Sequence, residues 1–139
     1  MYLNQFGKIV WLQWYWLEES YPYVILHSFI VMPNHIHGIL EINRANLLKN
    51  STEISEHALP AIKVKPFFDL IGAFKMTASK LIRMIEKDNS FNRADKPKFN
   101  WHRSFHDHII RSDRAFGRIT RYIENNPANW KNDEFYEKE

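Results

Sequence analysis

The chain has 139 residues, 45% of them hydrophobic and 15% aromatic, and a formal net charge of +3. These values predict one globular domain, residues 1–139, with enough apolar side chains for a core, and they exclude a disordered chain. The sequence has no cysteine, which excludes disulfides, thiolate metal ligands and cysteine nucleophiles. It also has no run of about 18 apolar residues, so we expect no membrane partner and a cytoplasmic location.

The first part of the chain predicts a helix followed by two strands. Residues 6–18 are compatible with a helix or a strand, and the residues after Gly7 favour a helix. A β-rich run covers residues 23–31, and a second strand runs from His35 to Ile42. Pro33 lies between the two runs, so we expect a bend or a hairpin at that point.

The central part alternates loops with regular elements. Residues 43–62 are polar and predict a loop. Pro66 opens a long helix that ends near Lys87, because the apolar residues between them recur at helical spacing. A basic loop is expected over residues 88–100, and the pattern of residues 105–111 predicts a third strand.

A last helix begins with Ser112 or Asp113 as its N-cap and must end before Pro127. Tyr122 and Asn126, one turn apart, lie at the edge of its apolar stripe, so both side chains could emerge where the helix meets a sheet. The alternative is structural, with the tyrosine ring packed, its hydroxyl in water, and the asparagine merely ending the helix. The stripe consists of Ala115, Phe116, Ile119 and Ile123.

Positive charge is concentrated in the second half of the chain. Residues 1–60 hold three basic residues against five acidic ones, whereas residues 63–121 hold fourteen against six. This surplus suggests a polyanion as partner, and nucleic acid is the usual one. The alternative is a solvated helix face with interspersed acids. Four arginines lie close together in this half of the chain: Arg111, Arg114, Arg118 and Arg121.

His35 and His37 are the residues most suggestive of chemistry. They are separated by one residue in a predicted strand, so their side chains project from the same face. Two neighbouring neutral imidazoles are a common beginning of a metal site. Histidines at this spacing on an exposed strand are also often ordinary surface residues, and the spacing alone does not decide between the two interpretations.

Several motifs together resemble the single-tyrosine HUH transposases of the insertion-sequence type, which include the REP-associated tyrosine transposases. Residues 31–37 read Val31-Met32-Pro33-Asn34-His35-Ile36-His37, and residues 122–127 read Tyr122-Ile123-Glu124-Asn125-Asn126-Pro127. Residues 4–10, 71–75 and 105–111 are similar to that family as well. The resemblance therefore spans most of the chain, and ordered, separated motifs are more specific than any one of them.

The resemblance implies an α+β fold of the ferredoxin-like type, with helices packed on one face of an antiparallel sheet. Relatives usually carry a further strand ahead of the segment that begins at Asn4. We therefore expect an N-terminally shortened domain that lacks this interior strand. Losing such a strand would expose backbone groups on its neighbours and remove part of the core.

The resemblance also implies a reaction and its residues. His35 and His37 would bind Mg²⁺ or Mn²⁺, with Asn126 completing the metal sphere. Tyr122 would cleave single-stranded, hairpin-forming DNA through a 5′-phosphotyrosine intermediate and allow strand transfer. Some relatives share active sites across a dimer, so a homodimer is a further expectation. The expected DNA-binding residues are Lys75, Arg111, Arg114, Arg118 and Arg121.

Three functions stay open from the sequence. The first is an active transposase-type nuclease and strand transferase. The second is a DNA hairpin-binding protein that does not cut. The third is a truncated, inactive remnant, or a metal-dependent hydrolase of another kind that uses the same two histidines. A covalent link between tyrosine and DNA would separate the first from the others.

Overall fold

The computed structural model describes residues 2–49, 63–88, 99–103 and 105–132. Most of the two predicted loops, 43–62 and 88–100, therefore lies outside the described residues. A short 3₁₀ turn, Trp130–Asn132, follows the last helix. In chain order the other elements are α1 (Gln5–Ser20), β1 (Val24–Val31), β2 (Ile36–Ile42), α2 (Ala45–Lys49), α3 (Phe67–Lys87) and α4 (Asp113–Asn125).

Helix α1 confirms the interpretation of the N-terminal segment as a helix. The side chain of Asn4 caps it, since Asn4 Oδ1 accepts a hydrogen bond from the backbone N–H of Gly7 at 2.8 Å. Tyr21 ends the helix in an extended conformation, as expected of a residue that precedes a proline. The buried side of α1 includes Val10, Trp14 and Leu17.

Strands β1 and β2 form the predicted hairpin. They pair antiparallel, with Val24 opposite Ile42 and Val31 opposite Ile36. The backbone N–H of Met32 donates to the carbonyl of His35 at 2.8 Å and closes the connection between the strands. The register is irregular between Leu26 and Phe29, where a bulge interrupts the ladder.

The first face of this sheet is covered by α1 and α3. The indole of Trp14 stacks on the ring of Phe29, with centroids 4.5 Å apart and planes 5° apart. Phe74 of α3 places its ring edge-on to the same indole at 5.5 Å. The buried residues of α3 recur at the predicted helical spacing, so the expectation of a long helix from Pro66 to Lys87 is confirmed. They are Leu70, Ile71, Phe74, Ala78 and Ile82.

The opposite face of the sheet is covered by α4. Successive strand residues point to opposite faces, so His37 faces away from the side on which Gly38 meets Trp14. Helix α4 contacts both strands, and its Phe116 lies edge-on to His27 at 5.1 Å. Ser112 is the N-cap, and its Oγ accepts from the N–H of Ala115 at 3.2 Å.

The α+β prediction, with helices packed against an antiparallel sheet, is confirmed. Helices α1 and α3 share one face as expected, and α4 adds a layer on the other. The sheet has two strands in the described residues, so the ferredoxin-like topology stays a prediction. No described helix has the length and the apolar character that crossing a membrane requires.

Two elements of the sequence-based prediction are wrong. Residues 105–111 form no strand, because neither β1 nor β2 hydrogen-bonds to them and an isolated segment has no ladder to join. Residues 106–109 are all exposed, so the strand-like pattern of this segment does not place one side of it in a core. The predicted loop 43–62 also contains a short helix, α2, near its start. There Asn43 Oδ1 accepts a hydrogen bond from the N–H of Ala45 at 3.0 Å, a contact that favours a helix start.

Candidate functional site

His35, the residue before β2, and His37, the second residue of β2, lie together. Their ring centroids are 4.7 Å apart, with the planes at 78°. Both side chains are half-buried, and the Nε2 atom of each ring is shielded from solvent. The predicted sharing of one face is therefore confirmed, and both rings lie on the side of the sheet that α4 covers.

Helix α4 brings Tyr122 to this pair. The rings of His37 and Tyr122 are 5.3 Å apart between centroids, with the planes at 75°. Tyr122 is 56% exposed, so a large substrate can reach it from solvent. The two residues belong to separate motifs, one in the hairpin and one near the end of the described chain, and only the packing of α4 on the sheet makes them neighbours.

Asn126 lies one turn after Tyr122 and is the only buried polar or charged residue in the described ranges, with 3% exposure. Its Oδ1 is buried and has no hydrogen-bond partner there. An unsatisfied buried amide oxygen costs about 1–3 kcal/mol, so native structures seldom keep one without a reason. A cation bound at Asn126 would supply the missing partner.

The donor set fits a divalent metal ion. Two imidazole nitrogens and one amide oxygen would provide three ligands, and water or substrate oxygens would complete the coordination sphere. Imidazole nitrogen suits first-row transition metals better than Mg²⁺, which prefers oxygen ligands. Of the two expected ions, Mn²⁺ therefore fits this set better. No cluster of three or more His, Cys, Asp or Glu residues with metal-ligand geometry occurs in the described part of the chain.

Two further residues border the histidines, and sequence reasoning assigned neither of them a role. Asn34 Oδ1 is 2.8 Å from His35 Nδ1. The ring of Trp130 lies 5.8 Å from that of His35, with the planes at 38°. Asn34 directly precedes the His-x-His motif, and this position in the sequence could have indicated that it borders the site. Trp130 reaches the site through the turn after Pro127, which no local pattern reveals.

Four expected DNA-binding residues lie on or just before α4. Arg111, Arg114, Arg118 and Arg121 are exposed, and none makes an ion pair with a described residue. Arg114, Arg118 and Arg121 follow helical spacing and form one stripe. Tyr122 lies between this stripe and the buried side of the helix. We call Arg114, Arg118 and Arg121 the arginine stripe.

Lys75, the fifth expected DNA-binding residue, belongs to a different neighbourhood on α3. Its Nζ donates to the carbonyl of His102 at 3.1 Å and lies 5.6 and 5.3 Å from the ring centroids of Trp101 and Phe105. Burial lowers the pKa of Lys75 from its ordinary value. Its observed contacts are with residues 101–105, not with the arginine stripe.

Comparison with known proteins adds one relative. The chain is 29% identical over 143 residues to an uncharacterized protein of Haemophilus influenzae, a similarity that covers 98% of this chain and 72% of that protein. No family model matches the chain. No solved structure matches it either.

Proposed function

We propose that this protein cleaves and rejoins single-stranded DNA in a metal-dependent reaction, as the single-tyrosine HUH transposases do. The observation that carries the proposal is the contact between the rings of His37 and Tyr122 at 5.3 Å. These are the residues that the resemblance implies as metal ligand and nucleophile, and they come from motifs far apart in the sequence. Asn126 follows Tyr122 by one helical turn, and its buried Oδ1, which has no hydrogen-bond partner among the described residues, supports a metal ion as the third component.

In the proposed reaction, His35, His37 and Asn126 hold the divalent ion. When bound, the ion would offset the negative charge that develops on the scissile phosphate. A tyrosine hydroxyl, with a pKa of about 10, is a poor nucleophile at neutral pH without such help. The exposed position of Tyr122 lets its oxygen reach a phosphorus atom of a bound strand.

The covalent step exchanges one phosphoester bond for another. The Tyr122 oxygen loses its proton and bonds to phosphorus, and the bond from phosphorus to the 3′-oxygen breaks. The departing 3′-oxygen takes up a proton, and the 5′-phosphate stays on the tyrosine. A second 3′-hydroxyl can attack this linkage in reverse, so strand transfer needs no nucleotide cofactor.

The arginine stripe suits the polyanionic substrate. Exposed guanidinium groups that make no ion pair with a described residue can contact phosphates, and single-stranded DNA offers a flexible row of phosphates. We propose hairpin-forming single strands as the substrate class. A cytoplasmic location and a homodimer are parts of the same proposal.

The test is covalent capture of DNA. Purified protein is incubated with labelled single-stranded DNA that carries imperfect hairpins, with Mn²⁺ or Mg²⁺, and separated on a denaturing protein gel. We expect a labelled protein band that disappears with chelator and in Tyr122→Phe. Tyr15→Phe is the matched control, because Tyr15 is also exposed but lies on α1, on the far side of the sheet. Tyr15→Phe should form the adduct normally.

Other outcomes separate the alternatives. DNA binding that survives both chelation and Tyr122→Phe, without any adduct, would indicate a hairpin-binding protein that does not cut. Cleaved DNA without a covalent protein intermediate would indicate a metal-dependent hydrolase. If the folded protein neither cleaves nor binds the DNA, the result would indicate an inactive remnant.

A further inference from the structure

The side-chain amide of Asn34 contacts the imidazole ring of His35, the next residue. Asn34 Oδ1 lies 2.8 Å from His35 Nδ1, and an amide oxygen can only accept a hydrogen bond. The Nδ1 atom must therefore be the donor, so a neutral His35 keeps its lone pair on Nε2. A free imidazole side chain favours the opposite tautomer, with the proton on Nε2.

The turn between the strands makes this contact possible. Neighbouring residues in a regular strand point to opposite faces, so their side chains do not meet. Asn34 and His35 precede β2, which begins at Ile36, and the bond from the Met32 N–H to the His35 carbonyl holds the turn closed. The backbone there leaves the strand conformation and lets the Asn34 amide reach the next side chain.

Two ring contacts of His35 constrain its position but not its tautomer. Among the described residues, its aromatic neighbours are His37 at 4.7 Å and Trp130 at 5.8 Å between centroids. Neither ring contact distinguishes a protonated nitrogen from a bare one. The shielded Nε2 atom lies on the side of the ring away from Asn34, since Nδ1 is the atom that contacts the amide.

We propose that Asn34 is a positioning residue for the metal site. By accepting the Nδ1 proton, it presents the Nε2 lone pair of His35 to the ion and holds the ring in the orientation that binding needs. This inference rests on the metal-binding part of the proposed function. It adds a residue whose proposed role is exerted through the orientation and tautomer of His35.

The first experiment reads the tautomer directly in the metal-free full chain. Long-range ¹H–¹⁵N NMR spectra distinguish the two neutral tautomers, and His35→Gln assigns the His35 signals. We expect the Nδ1-protonated form in the wild-type chain and a shift toward the Nε2-protonated form in Asn34→Ala. Asn34→Asp keeps an oxygen acceptor and should retain the wild-type tautomer. Asn43→Ala, which removes a hydrogen bond beyond the other end of β2, is the matched control and should change nothing.

The second experiment measures Mn²⁺ affinity from the electron paramagnetic resonance signal of the free ion. Loss of a residue that orients a metal-binding histidine typically weakens affinity about 10–100-fold, and we expect a loss in that range for Asn34→Ala. Asn34→Asp should restore binding. Asn43→Ala should bind as the wild type does.

The possible failures differ from one another. If Asn34→Ala keeps both the wild-type tautomer and the wild-type Mn²⁺ affinity, the positioning role is overturned while the metal site stands. If the tautomer follows Asn34 but the wild-type chain binds no Mn²⁺, the metal-binding part of the proposed function fails, and with it the role of Asn34 toward a metal.

Discussion

Trp14 of α1 lies directly over Gly38 of β2. A Cβ atom placed on Gly38 would come within 2.7 Å of Trp14 Cζ2 and 2.9 Å of Phe29 Cδ2, closer than carbon atoms approach one another. His37, the preceding residue, points to the other face, toward Tyr122. Close packing of α1 against one side of the strand therefore sets the position from which the strand presents its histidine on the other.

Gly38→Ala should destabilise the protein. Two aromatic rings would have to move, and both belong to the packed face of the sheet, so overpacking should cost about 1–3 kcal/mol in the free energy of unfolding. Urea denaturation measures the change. Gly72→Ala is the control, since nothing lies within 4 Å of its added methyl and alanine favours a helix over glycine by about 0.5–1 kcal/mol. A Gly38→Ala protein as stable as Gly72→Ala would contradict the close approach of Trp14.

Removing the cap of α4 should weaken the helix that carries Tyr122. Ser112→Ala deletes the acceptor for the Ala115 N–H and should cost about 1 kcal/mol. Asn4→Ala deletes the matching cap of α1 and should cost a similar amount. Hydrogen exchange separates the two variants: only Ser112→Ala should speed exchange in the first turn of α4. Equal exchange in that turn for both variants would show that Ser112 does not hold the helix end.

Neutralising the arginine stripe should weaken DNA binding and make it less dependent on salt. For single strands, each lost phosphate contact reduces the slope of log K against log salt by about 0.7. The triple variant Arg114→Gln, Arg118→Gln, Arg121→Gln should thus lower the slope by about 2, as measured by fluorescence anisotropy across a salt series.

A charge-matched control tests whether position matters. Lys8→Gln, Lys80→Gln, Arg83→Gln removes the same number of exposed charges from α1 and α3, on the other face of the sheet. This control should keep the wild-type slope. Equal losses in the two triple variants would mean that DNA responds to net charge alone, and the arginine stripe would then have no special role.

Asn126→Leu should separate stability from metal binding. Because Asn126 Oδ1 is buried and has no hydrogen-bond partner in the described part of the chain, an apolar side chain of similar size should leave the metal-free Tm unchanged or higher. The same change removes a proposed metal ligand, so the rise in Tm that Mn²⁺ should produce in the wild type would disappear. Asn125→Leu, at the exposed neighbouring position, should keep the Mn²⁺ effect. An intact Mn²⁺ effect in Asn126→Leu would exclude Asn126 as a ligand.

The regular elements were predictable where local chemistry defines them. The apolar residues of α3 recur at helical spacing after Pro66, and Ser112 caps α4 as expected. The prediction failed over residues 105–111, whose pattern suits a strand but which have no strand beside them. A helix completes its hydrogen bonds within its own segment, whereas a strand depends on a partner that the segment itself does not contain.

The candidate site was also predictable only in part. The sequence alone determined that His35 and His37 share a face and that Tyr122 and Asn126 lie one turn apart, because both relations follow from the repeat of a strand or a helix. Only the tertiary structure decided that the two pairs meet. The contact of His37 with Tyr122, and that of His35 with Trp130, depend on α4 packing against the sheet face opposite α1. The face on which α4 packs is decided by the burial of apolar surface between segments that are distant in the sequence. The residue spacing within one helix or strand carries no information about this packing.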